Sequence, residues 1–425
     1  MGWVSTALVW LLSRGFVLWL FFGPHSWVTG DVAYFADSLT RVPEEGLAGT
    51  LEEYPLPGVG LVAFPWVVAR AIGTADLYSE VVLVLAVATD AAFTVLLRRF
   101  GGSDRGSVWA WLLAVPLLGA TTYARFDLVP GVLVGTAVLL LRRFPRTAAV
   151  AAAVATGLKL WPALLLPGLA ARRRERRRVV VAASVVGVVL VAASVALAGW
   201  ARLVSPLTWQ ADRGLQIESV LATPVMLAWG LGLGPHVVEY SAFNAFEITG
   251  PGVSSLMVAA TVATAVMLCG LILLWVRAWT TATVLTPDGV VWVCLAAVTA
   301  FMVSSKVLSP QYLLWLLPLS AAGLAVVGTT RGRFRLRRWV VVLLVTTLAT
   351  QLVFPVLYAH LITFGDESVW ATYLLAFRNL TLVWLLVEAG REAWWHLRRP
   401  APVQRGRALD RQPPGPDGDQ ARTLR

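Results

Sequence analysis

The chain has 425 residues, 58% of them hydrophobic and only 14% charged, with a mean hydropathy of +0.72. A soluble domain of this size cannot bury so much apolar side chain and keep a wettable surface, so a water-soluble globule is excluded. The net charge of +11 would point to nucleic acid in a soluble protein. Here the arginines sit in short segments between apolar runs, as in loops retained in the cytoplasm, and no nucleic-acid partner is expected.

About 20 apolar residues in helical form cross a hydrocarbon core, and lipid offers no partner to an unpaired backbone, so the long apolar runs are read as helices. The runs are continuous and do not alternate, which excludes a β-barrel. In chain order, the first span covers Val4 to Phe22 with Arg14 inside it. It lacks a small-residue cleavage site and reads as a retained helix and not a removed signal peptide. An outer loop from His25 to Pro57 follows. Val59 to Ile72 is short and broken by Pro65, so it either crosses or only dips. Further spans are Val81–Leu97, Val108–Leu118 and Leu128–Leu141. Two half-length pieces between Thr147 and Ala171 meet at Lys159–Leu160–Trp161–Pro162, as a pair that enters and turns back. Then come Val179–Leu197, Ser254–Val276, Val290–Val303, Leu308–Val327, Val340–Leu357 and Thr372–Val387. The expected architecture is an all-α, polytopic transmembrane bundle of about ten to twelve helices over residues 1–390, followed by a basic, disordered cytoplasmic tail over 391–425. Cys269 and Cys294 lie within apolar runs and read as small core residues.

Arginine runs at 98–99, 142–146, 172–178, 277, 331–338 and 391 onward all fall at helix ends and are placed in the cytoplasm of a cell-membrane protein. The run at 172–178, six arginines and a glutamate, is the strongest anchor. It reads as contact with anionic headgroups of membrane lipids. The polar residues outside these runs then gather on the extracytoplasmic side, in 25–54, 200–251 and the turns at 121–127, 304–306 and 358–370. The charges are expected at the outer membrane margin and not at mid-membrane.

Several of these polar residues suit chemistry. Asp31 follows Gly30, read as a tight turn, just outside the first span. It suits either a helix N-cap or a general base that takes a proton from an incoming hydroxyl. Tyr34 accompanies it, and Glu53 and Tyr54 close the same loop. Arg125 breaks the positive-inside pattern. It suits an ion pair with Asp127 or another acid, or a phosphate, for which guanidinium is well shaped. Lys159 and Lys306 are the only two lysines in the sequence. Each suits snorkelling to the interface or contact with phosphate oxygens. The stretch 210–219 is densely polar, with Arg213, Gln216 and Glu218 as candidates for binding sugar hydroxyls and phosphate; Gln311 follows Lys306. His25, His236 and His360 are scattered without metal spacing, and no phosphate-binding glycine loop occurs, so neither a metal nor a cofactor is expected.

Taken in order, the stretches 30–34, 53–57, 125–127, 159–162, 213–219 and 305–312 resemble glycosyltransferase family 87, a branch of the GT-C superfamily whose members are polyprenol-phosphate-mannose-dependent mannosyltransferases of actinobacteria. The resemblance covers about residues 1–390. It implies a GT-C-like fold and inverting transfer of mannose from a lipid-linked donor to a lipid or polysaccharide acceptor, with Asp31 as base and Arg125, Lys159, Arg213 and Lys306 around the leaving phosphate. The first-loop acid stands alone, without the Asp–Asp or Asp–Glu pair of other GT-C enzymes, so acceptor and metal use do not carry over. The competing reading is a transporter or flippase of lipid-linked glycans, which should show inverted repeats and mid-membrane charges.

Overall fold

The computed structural model describes residues 2–74, 77–102, 105–280 and 285–398. Among them are seventeen α-helices and one two-stranded hairpin. The helices are α1 (Trp3–Phe22), α2 (Gly30–Thr40), α3 (Val42–Gly49), α4 (Leu56–Ala71), α5 (Tyr78–Phe100), α6 (Gly106–Leu118), α7 (Leu128–Leu140), α8 (Pro145–Leu158), α9 (Leu166–Leu169), α10 (Arg173–Asp212) and α11 (Thr223–Gly230). The hairpin strands β1 (Val237–Tyr240) and β2 (Phe246–Thr249) come next, then α12 (Val253–Thr280), α13 (Pro287–Ser304), α14 (Leu313–Val326), α15 (Thr330–Gln351), α16 (Ala359–Ile362) and α17 (Ser368–Arg398). Seven described helices are long and apolar enough to cross a membrane, and four shorter apolar ones accompany them, which makes this an all-α polytopic membrane protein. The expected break in the half-length pair falls at Lys159–Leu160, between α8 and a 3-10 turn over Trp161–Leu165. The last helix runs to Arg398, past the residue-391 start expected for the tail, and residues 399–425 lie outside the described ones.

Apolar composition alone does not say which helices face lipid; burial does. The apolar windows of α10 and α12 are only 11% and 17% buried, whereas that of α13 is 78% buried. α13, α14, α7 and α8 form the centre, and α10 and α12 form an outward wall. Gly131 and Gly135 of α7 meet the carbonyls of Leu314 and Pro318 on α14, where any side chain would hold the helices apart. Cys294 is buried in this centre, but Cys269 on α12 is exposed, so only one of the two is a core residue.

The arginines collect at one end. Arg98 lies over Trp3, Arg143 over Phe100, Arg176 over Trp279, Arg277 over Trp394 and Arg331 over Trp395. These contacts tie the termini of α1, α5, α10, α12, α15 and α17 together, while the turns holding residues 25–29, 123–127, 213–222 and 305–312 lie at the other end. The short α4 belongs to that second end. The Tyr78 hydroxyl, at the start of α5, donates to the Val62 carbonyl at 3.2 Å and ties the start of α5 to the middle of α4.

Several charges are buried in the bundle, contrary to the expectation that all fall at its margin, and Arg14 with Asp90 is one such pair. Arg14 on α1 donates from Nε and Nη2 to both oxygens of Asp90 on α5, at 2.8 and 2.9 Å. Trp111 Nε1 and the Tyr123 hydroxyl donate to the same carboxylate at 2.7 Å each. Arg14 Nη1 is satisfied by the Leu112 carbonyl and the Ser13 hydroxyl. Charge in lipid is tolerated only when paired and hydrogen-bonded, and here both conditions are met.

One helix changes direction. At Gly199, φ +80° and ψ 173° break α10, a conformation open to glycine and costly for side chains with a Cβ. The segment past the break turns along the end of the bundle opposite the arginines. There Arg202, 2% exposed, donates to the carbonyls of Leu47, Thr50 and Leu51, and the Ser205 hydroxyl donates to that of Glu52.

Candidate functional site

The turns at the end away from the arginines enclose a cavity of about 370 Å³. Asp31, Tyr34, Glu53, Tyr54, Arg125, Lys159, Arg213, Gln216, Glu218 and Gln311 all line it, although they come from six separate stretches of sequence. Of the residues singled out from the sequence, Asp127 and Lys306 do not line it.

Asp31 sits in the first turn of α2. Gly30 has ordinary helical backbone (φ −52°, ψ −36°), so the expected tight turn is absent, and the helix start carries no side-chain cap. The carboxylate is therefore free of a backbone task, and its side chain is 40% exposed. Its partner is Arg125, at 3.0 Å from Nη1 to Oδ1, while the same Nη1 donates to the Val28 carbonyl at 3.0 Å. Arg125 thus pairs with the first-loop acid and not with its sequence neighbour Asp127. Its Nε is buried with no partner.

Asp127 belongs to Lys159. Lys159 Nζ reaches both carboxylate oxygens at 2.7 and 2.8 Å, and Trp315 Nε1 donates to Oδ1. The ammonium lies 5.6–5.7 Å from the ring centroids of Tyr54, Tyr312 and Trp315. An aromatic cage of this kind holds a cation in place. Lys159 brings its charge to the cavity wall already half neutralised.

Lys306 gives two of its three donors to the backbone. Its Nζ donates to the carbonyls of Ala211 and Arg213, and the Gln216 side-chain carbonyl accepts the Leu308 N–H at 2.7 Å. Lys306 and Gln216 therefore pin the 211–218 segment against 306–308. That leaves the Arg213 guanidinium on the cavity wall without an ion pair or hydrogen bond among the described residues, and its Nε is buried. Arg213 is the cation best prepared to receive an anion, because an unpaired buried donor gains most from a new partner.

Two acids complete the walls. Tyr34 donates its hydroxyl to Glu53 Oε1 at 2.9 Å, and burial pushes the Glu53 carboxyl above its ordinary range. Glu218 is 1% exposed, and burial raises its carboxyl to about 7 against the opposing pull of Arg378 and Arg125. Arg378 on α17, which the sequence reading passed over inside an apolar span, donates from Nη2 to Glu218 Oε2 at 3.2 Å and to the Glu218 carbonyl at 3.0 Å. Beside it Asn379 donates to the Ser219 carbonyl and the Thr223 hydroxyl. An arginine at that depth was the available signal, since such charge is rarely structural decoration.

A second, mostly apolar cavity of about 640 Å³ continues from the first, sharing Glu53, Lys159, Gln210 and Tyr312 with it. Leu207, Ala260, Ala265, Leu268 and Phe301 line its far part, beside the two helices most exposed to lipid, and Lys306 stands on its rim. Among the described residues, no three His, Cys, Asp or Glu side chains gather as a metal-ligand set.

The model of glycosyltransferase family 87 matches residues 54–305, more than half of the chain. No curated protein and no solved structure matches it. The matched stretch contains Arg125, Asp127, Lys159, Arg213, Gln216 and Glu218, and it leaves out Asp31 and Lys306. The chain belongs to glycosyltransferase family 87 and is a membrane glycosyltransferase.

Proposed function

We propose that this glycosyltransferase moves a hexose, mannose by the family resemblance, from a polyprenyl-phosphate donor to a lipid or glycan acceptor on the extracytoplasmic face of the cell membrane, without a metal or organic cofactor. In this reading Asp31 Oδ takes the proton of an acceptor hydroxyl. The hydroxyl oxygen attacks the anomeric carbon from the face opposite the phosphate, the bond from that carbon to the phosphate oxygen breaks, and the polyprenyl phosphate leaves with the bonding electrons. The new glycosidic bond has inverted configuration. Negative charge builds on the leaving oxygen, and Arg213, with Lys159 and Arg125 close by, is fixed in place to meet it; such preorganised donors usually supply much of the rate.

The observation that carries this reading is the pairing of two cavities. One wall of the polar cavity holds an exposed carboxylate, another holds a guanidinium with unused N–H groups, and the apolar cavity leads from there toward the lipid-facing side of α10 and α12. A donor with a charged head and a long apolar tail fits that combination. The arginines at the opposite end support placing the site outside.

The test uses the purified full-length protein in nanodiscs with radiolabelled polyprenyl-phosphate-mannose and an extracted lipid and glycan fraction as acceptor. Label should move into product with wild type and not with Asp31→Asn. Equal transfer by both would remove Asp31 as the base. Absence of transfer from mannose, arabinose and glucose donors alike would overturn the donor class.

A further inference from the structure

The inward side chains of α17 recur three and four positions apart. Ala371 and Leu375 come first and Leu382 and Leu385 last, and between them the stripe turns polar at Arg378 and Asn379, both buried. These two side chains reach the segment between Glu218 and the start of α11. Asn379 Nδ2 donates to the Ser219 carbonyl at 3.2 Å and to the Thr223 hydroxyl at 2.8 Å. Arg378 Nη2 donates to the Glu218 carbonyl at 3.0 Å and to Glu218 Oε2 at 3.2 Å. The first three contacts fasten the segment itself. The fourth fastens one side chain.

Holding the backbone does not require that guanidinium. The Leu308 N–H donates to the Gln216 side chain at 2.7 Å, the Ile217 N–H to the Phe246 carbonyl at 3.1 Å, and the Ser219 N–H to the Gln216 carbonyl at 3.0 Å. Asn379 adds its bonds with no charge to desolvate. Replacing a buried ion pair by apolar side chains of similar volume is commonly neutral or stabilising, so stability does not account for Arg378. What its charge adds is the orientation of one carboxylate. Glu218 lines the polar cavity with Asp31, Arg125 and Arg213. A site group gripped from behind by a second residue is held in one geometry.

We propose that Arg378 is a positioning residue of the transferase: acting through Glu218, it keeps that carboxylate facing the cavity as a fixed hydrogen-bond acceptor for a substrate hydroxyl. Arg378 lies outside the stretch that the family model matches. The role rests on the polar cavity being the site of transfer; the hold of Arg378 on Glu218 does not. The charged and titratable groups that face Glu218 are Arg378 from α17, Arg125 from the turn before α7, and Tyr358 at the start of α16. Burial raises the Glu218 carboxyl to about 7, and of the two cations Arg378 pulls harder against that rise.

Two measurements on the purified full-length protein in nanodiscs test this. Infrared titration follows the protonated-carboxyl stretch that disappears in Glu218→Gln. Its midpoint, about 7 in wild type, should rise by about one pH unit or more in Arg378→Gln. Transfer from radiolabelled polyprenyl-phosphate-mannose should fall about tenfold to a hundredfold in the same variant. That loss should shrink as pH is raised, because the carboxylate then forms without its cation. In the Glu218→Gln background the change at Arg378 should lower transfer no further, and raised pH should restore nothing. An arginine that only supports the fold would lower transfer equally in both backgrounds and at every pH. That pattern, an unmoved midpoint, or wild-type transfer by Arg378→Gln would each overturn the proposal. Should Arg378→Gln fail to fold, Arg378→Lys, whose ammonium keeps the charge and loses the fork, should show both effects in smaller size, and neither effect in it would be equally fatal. Absence of transfer by wild type from any lipid-linked donor would remove the proposed reaction and this role with it, while the infrared midpoint would still read the hold on Glu218.

Discussion

Arg14 and Arg213 are both arginines of a membrane-embedded bundle, yet their surroundings differ in one decisive respect. Around Arg14 the accounting closes: its guanidinium, the Asp90 carboxylate, Trp111 Nε1 and the Tyr123 hydroxyl satisfy one another. Around the cavity it does not close. Arg125 Nε, Arg213 Nε and Arg378 Nε and Nη1 are buried without partners. Leaving a donor unpaired costs roughly 1–3 kcal/mol, more when it is charged. A closed cluster holds helices together, and an open one is waiting for something with negative charge. The same residue type is fully partnered in one place and left with unused N–H groups in the other.

Substitutions can break or sharpen that contrast. The largest effect belongs to Asp31→Asn, for which sugar transfer should fall by about 10²–10⁴-fold, the usual contribution of a general base, with the melting midpoint almost unchanged. Next comes Asp90→Asn, which leaves Arg14 buried with half its partner. Stability should drop by about 3–5 kcal/mol, read from thermal unfolding followed by size-exclusion chromatography, and the paired change Arg14→Met with Asp90→Leu should recover much of it. Arg213→Gln should do the reverse, lowering transfer about tenfold to a hundredfold through loss of a charge-assisted hydrogen bond while the melting midpoint stays put. A fall in stability as large as that of Asp90→Asn would erase the distinction between the two clusters.

The last effect concerns pH. The Glu218 carboxyl titrates near 7 in the folded chain and near 4.5 when unfolded, so the folded chain holds an extra proton between those values. Stability should therefore fall as pH rises from 4.5 through 7 and level off above it. In Glu218→Gln that part of the slope should disappear; a slope that persists would assign it to another group.

Much of this was legible beforehand, and the reasons are local. Apolar runs become helices because lipid allows little else, so the span positions emerged directly, and Arg172–Arg178 marked the opposite end from the cavity. Lone polar residues between spans were visible as candidates because nothing local explained them. Partner choice was not legible. Arg125 binds Asp31, 94 positions earlier in the chain, and passes over Asp127 two residues away, because the turn at 123–127 faces Lys159 across the bundle. The two backbone carbonyls that Lys306 serves could not be foreseen either, because that contact depends on where residues 211–213 fold. Arg14, Asp90 and Arg378 each stood in plain view within apolar runs; their charge was the signal, and only its pairing was hidden. The hairpin at 237–249 is short enough that its alternation passes for loop.

The bend of α10 at Gly199 has a consequence in time as well as in space. Arg202 holds the first loop, yet it follows Thr50 by 152 residues. At ribosomal rates of about 5–20 residues per second, the loop waits roughly 8–30 s before the side chain that anchors it is even synthesised. The cavity wall made of Glu53 and Tyr54 is thus translated early and assembled late, so a nascent chain stalled before α10 would have its first helices in place and its candidate site still unmade.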